Sequence, residues 1–160
     1  TLSLHDALPI SEKRQEVTTE GGLDVIGNFE VIKKAVSQLM QHGITVSIFI
    51  DPDEAQIAKA GETGAQVIEL HTGKYAHSTG PELATELKRL SDAAALAARN
   101  GIEPHAGHGL TFENVGPIAA IPQIAELNIG HFLIGEAIFI GLAASIQEMR
   151  ARMDAARDVA

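Results

Sequence analysis

Apolar and polar positions alternate in short bursts along this chain, and longer stretches of helical period separate the bursts. "TVSIFID" (45–51) puts Val46, Ile48 and Ile50 on one face, with Thr45, Ser47, Phe49 and Asp51 on the other. "QVIELHT" (66–72) repeats the pattern, with Ile68 and Leu70 opposite Val67, Glu69 and His71. Such period-two runs predict strands, and "GIEPHAGH" (101–108) and "ELNIGH" (126–131) predict two shorter ones. Between them, "NFEVIKKAVSQLMQHG" (28–43) predicts a helix with its stripe on Phe29, Ile32, Val36, Leu39 and Met40, Asn28 as cap and Gly43 as stop. A second helix is predicted over 51–61, with Asp51 as cap, Pro52 at the first helical position and Glu54 closing a capping box. Further helices are expected over 80–101, 111–121 and 141–160, with a short extra one in "FLIGEAIF".

Strands that alternate with helices across short links imply a parallel sheet of βαβ units. A doubly wound sheet shows two apolar strand faces. Here the second face is polar or small, and Asp51, Glu69, His71 and His108 gather near strand ends. That arrangement points to a (β/α)₈ TIM barrel, whose strand C-termini carry the chemistry. No G-x-G-x-x-G fingerprint opens any unit, so a dinucleotide site is not indicated. A full barrel takes about 250 residues. These 160 residues supply at most five units, so either the barrel is partial or part of it is missing, truncated to roughly four to five βα units.

Composition narrows the function. The formal charge of −9 argues against nucleic acid and anionic membrane as partners. It leaves room for phosphorylated small molecules, which backbone N–H groups at helix starts can hold without a lysine patch. No apolar run reaches the roughly 20 residues of a membrane helix. There is no cysteine, which excludes disulfides and thiolate metal sites and suits a cytoplasmic location.

The candidate chemistry lies at the strand ends. In "EPHAGHGLT" (103–111), His108 stands between Gly107 and Gly109, just before the helix start at Thr111. The glycines let the backbone bend and approach a ligand, and an imidazole presented there suits a general acid or base. By strand period His105 lies on the opposite face, directed outward and structural. "NIGHFLIGEAIFIG" (128–141) ends a strand at Gly130 and starts the extra helix at His131. That is the usual place of a barrel's phosphate cradle, and equally that of a plain apolar helix after a turn. Glu69, inward beside His71, could stabilise a developing cation or serve as a hydrogen-bonded core carboxylate. A metal site of Glu69, His71 and His108 lacks any recognisable ligand spacing, so no metal is expected.

Five stretches in order, "EKRQEVTTEGGLDV", "SIFIDPD", "IELHTGKYA", "HAGHGLTFENV" and "ELNIGHFLIGEAIFIGL", resemble the pyridoxine 5′-phosphate synthase family from Glu12 nearly to the C-terminus. The resemblance implies a TIM barrel that condenses 1-deoxy-D-xylulose 5-phosphate with 3-amino-2-oxopropyl phosphate in vitamin B6 biosynthesis. It implies no metal or organic cofactor, and a homo-oligomer, usually an octamer. By the same resemblance, His108 is the proton donor and Glu69 stabilises the transition state. Gly109, Gly130 and His131 hold the amino-ketone phosphate, and Thr18 touches the deoxyxylulose phosphate.

The family's first three βα units find no counterpart, and they carry most of its cationic substrate contacts and its proton acceptors. Residues 1–11, "TLSLHDALPIS", match no family motif and are too broken in their apolar content for a signal peptide. They are expected to be a foreign or disordered leader before a partial barrel domain over 12–160. Two other functions remain open. Another phosphate-binding barrel, an aldolase or isomerase, would need a lysine at a strand end, and Lys74 lies just past one, in a loop. A non-catalytic half-barrel would carry an open edge and associate with itself.

Overall fold

The computed structural model describes residues 21–158. Thr18 and the segment 1–11 lie outside the described residues. The elements, in chain order, are α1 (Phe29–Gln41), β1 (Ser47–Ile50), α2 (Glu54–Thr63), β2 (Val67–His71), α3 (Gly73–His77) and α4 (Gly80–Arg99). They continue with β3 (Glu103–Gly107), α5 (Val115–Ala119), β4 (Glu126–Asn128), α6 (His131–Ile140) and α7 (Leu142–Asp158). The four strands form one parallel sheet in the order β1-β2-β3-β4, so each strand pairs with the next in the chain.

The register explains the two faces. Ile48 pairs with Ile68 and Ile68 with Pro104, while Ile50 pairs with Leu70 and Leu70 with Ala106. This apolar face is buried together with Val36, Ile57, Leu90, Ala94 and Ala97 from the helices, and it forms the main core. Phe49, Glu69, His105 and Glu126 align across the opposite face, and His71, Gly107 and Asn128 follow two residues on. The predicted outward direction of His105 is therefore corrected. Parallel pairing with Glu69 places it on the same face as the candidate carboxylate, and it is only 3% exposed. The period-two argument compared His105 with His108 as though the strand ran on, but β3 ends at Gly107.

The predicted start of α2 also shifts. Asp53, not Asp51, is the cap, its side chain accepting from the backbone N–H groups of Ala55 and Gln56 at 3.0 Å each. Asp51 is left to face the site. The helix ends on Gly64, whose φ of 90° closes the left-handed stop. Helix α3, immediately after β2, replaces the loop expected around Lys74. No helix among the described residues is long and apolar enough to cross a membrane.

Candidate active site

The site assembles where β2 and β3 end. After Gly107 the chain leaves the sheet through His108, at φ 86°, and Gly109, at φ 75°. His108 is the one non-glycine residue among those described with a positive φ. An L-residue held in this region costs on the order of 1–3 kcal/mol, and persists only where its surroundings fix it. Thr72 does the fixing. Its backbone N–H donates to the Gly107 carbonyl at 2.8 Å, and its fully buried hydroxyl lies 2.7 Å from that oxygen and 2.6 Å from the His108 carbonyl. One hydroxyl proton is thus shared between two carbonyls, which clamps the turn from the neighbouring strand end.

Beneath His108 lies His71, with ring centroids 4.8 Å apart and planes at 69°. Phe49 meets the His71 ring edge-on from β1, centroid to centroid 5.1 Å. His71 Nδ1 is 3.0 Å from Asp51 Oδ1. This hydrogen bond holds the Asp51 carboxyl below its usual range, against the opposing effect of partial burial. For His108, burial depresses the pKa first, and the neighbouring His71, His77 and His131 depress it further. An imidazole with a depressed pKa releases its proton readily near neutrality.

Glu69 reaches the same place from mid-strand. Its carboxylate lies so close over Gly107 that a Cβ there would stand 2.2 Å from Oε1, so the strand needs glycine directly before His108. Asn128 Nδ2 donates to Glu69 Oε2 at 3.0 Å. Burial raises the Glu69 pKa, and the Asn128 hydrogen bond and the His105 charge oppose it. His105 itself lies 2.9 Å from Glu103 Oε1.

Gly109 continues the turn, and a Cβ there would press against Ala76 at 2.8 Å. Gly130 caps α6 and His131 opens it. The space that a Cβ at Gly130 would enter is open for 4 Å. The structure thus brings His108, Gly109 and Glu69 together, and His131 lies near enough for its charge to act on His108. Asn128 links β4, and so the approach to Gly130, to the carboxylate. Among the described residues no group of three His, Asp or Glu could hold a metal ion. Lys74 sits on α3, its ammonium 2.6 Å from the buried carboxylate of Glu86, which ties it to α4. Sequence reasoning missed the clamp at Thr72, the Asp51–His71 pair and the Asn128 contact. Their only signal was a polar residue at the end of each strand.

A model of the family described as "Pyridoxal phosphate biosynthesis protein PdxJ" matches residues 2–155. A protein of Zymomonas mobilis called pyridoxine 5′-phosphate synthase is 61% identical over 153 residues, which cover 96% of this chain and 60% of that protein. Proteins of the same name from Caulobacter sp. (strain K31) and Rhodospirillum rubrum are 55% and 52% identical, over 96% and 95% of this chain and 62% and 61% of theirs. The chain spans about three fifths of the length of these curated relatives.

Proposed function

Since the chain belongs to the family of the pyridoxal phosphate biosynthesis protein PdxJ, we propose that it is the catalytic C-terminal portion of a pyridoxine 5′-phosphate synthase. It condenses 1-deoxy-D-xylulose 5-phosphate with 3-amino-2-oxopropyl phosphate, within a (β/α)₈ barrel of which it supplies the last units. Strands paired strictly in chain order support the barrel, because an open doubly wound sheet reverses its strand order at a switch point. The observation that carries the function is the left-handed His108, clamped by Thr72 beside the half-buried Glu69.

In this mechanism His108 donates and recovers the protons that Schiff-base formation, dehydration, phosphate loss and ring closure move between oxygen, nitrogen and carbon. Glu69, half-buried on the face that His108 crowns, stabilises the positive charge that develops on nitrogen. The N–H groups at Gly109, Gly130 and His131 receive the amino-ketone phosphate, with the positive end of the α6 dipole behind two of them. Thr18 contacts the deoxyxylulose phosphate. The reaction needs no metal or organic cofactor, and the whole protein works as a cytoplasmic homo-oligomer, an octamer. The engagement of Lys74 with Glu86 weighs against an aldolase that uses a strand-end lysine.

The test is to mix this chain with the portion of the Zymomonas mobilis relative that it does not cover. Formation of pyridoxine 5′-phosphate from the two substrates is then measured. Product that disappears with His108→Asn supports the proposal. Product that survives the substitution, or no product from the mixture, overturns it.

A further inference from the structure

His71 is held more tightly than any role assigned to it requires. Its Nδ1 faces the Asp51 carboxylate at 3.0 Å, which fixes the proton on that nitrogen while Asp51 is ionised. The other nitrogen, Nε2, is buried without a hydrogen-bond partner. An orphaned acceptor carries a desolvation cost that an apolar side chain at this position would avoid. The surroundings are cut to the ring instead. A Cβ on Gly73 would stand 2.5 Å from His71 Nε2 and 3.1 Å from His108 Cδ2, so the start of α3 is glycine where both imidazoles need the room. Phe49 closes the remaining side.

We propose that Asp51 and His71 form a positioning pair, in which the carboxylate locks the His71 ring and that ring props His108 in the orientation from which it passes its proton. The proposal rests on His108 being the proton donor, but its geometry can be tested apart from turnover. Asp51 sets the tautomer and angle of His71 from the end of β1. His71, crossing His108 edge to face from β2, limits the rotation that the exposed side of the turn would otherwise allow. Both act through His108. The charged or titratable groups facing His108 are His71 from β2, His77 from α3 and His131 from α6. Those facing His71 are His108, Asp51 and, along its own strand, Glu69.

The experiment is a ¹⁵N histidine titration of the chain, with resonances assigned through single histidine-to-asparagine variants. The parent spectrum should show His71 carrying its proton on Nδ1 with Nε2 bare, a pattern that requires no variant to fold. In His71→Asn the titration midpoint of His108 should rise, because part of the cover that buries the ring is gone. In His105→Asn, which alters the middle of β3 away from the His108 ring, it should stay in place. A proton on His71 Nε2 in the parent overturns the pair, as does a His108 midpoint indifferent to His71→Asn. If the tautomer and the shift appear but the complemented chain makes no product, the enzymatic reading fails and the pair stands.

Discussion

At the residue scale, the site depends on a conformation that its key side chain disfavours. His108 occupies a backbone region natural to glycine, so His108→Gly should be more stable than His108→Ala by about 1 kcal/mol while both lose turnover. Equal stabilities in urea denaturation would show the turn to be unstrained. Glu69 offers a second measurable cost. Burial raises its pKa, so the folded chain holds the Glu69 proton more tightly than the unfolded one. The resulting penalty is absent below the ordinary glutamate range, grows as pH rises through it, and is complete above the raised folded value. Glu69→Gln should therefore exceed the parent in stability at neutral pH, and the gap should close near about pH 4. Denaturant midpoints at the two pH values check both the sign and the window. The meeting of His108 and Glu69 at the strand ends was legible in the sequence because a histidine between glycines and an inward carboxylate are local patterns. Asp51 was misread for an equally local reason, since Asp-Pro looks like a helix cap until Asp53 is seen to accept both N–H groups.

At the element scale, alternation and capping chemistry placed most of the secondary structure, and the differences fall where tertiary contacts decide. Strand β1 and helix α1 lie inside their predicted ranges because Ile48, Ile50, Ile32 and Val36 form one buried set. The five-residue α3 was not legible, because "GKYAH" has no period to display over so short a run. It is fixed by the Tyr75 hydroxyl donating to the Asn114 carbonyl at 2.8 Å and by Lys74 pairing with Glu86. The start of α2 should respond to its own cap. Asp53→Ala should cost about 1 kcal/mol and leave the His71 tautomer untouched, whereas Asp51→Ala should spare the helix and disturb the tautomer. Thermal unfolding and the histidine spectrum separate the two aspartates.

At the scale of the whole molecule, the sheet has one fully dressed face and one that is largely polar, and the C-terminal helices expose a broad apolar surface. Helix α6 is apolar apart from His131 at its start and Glu136, yet none of its residues is buried. Ile138 and Phe139 are 80% and 83% exposed, and Leu142 and Ile146 extend the patch onto α7. The chain alone should therefore associate with itself at micromolar concentration, and replacing Ile138 and Phe139 with lysine should return it toward the monomer. Sedimentation of the two forms reads the difference, and a parent chain that runs as a monomer would contradict it. The sequence by itself determined the order and type of the main elements, the charge balance and the residues at the strand ends, because period, capping and composition act over a few neighbours. Only the tertiary structure decided that His105 shares a face with Glu69, that Thr72 clamps the His108 turn and that Asp51 belongs to His71. Each of those depends on register between strands 20 or more residues apart, which no local pattern encodes.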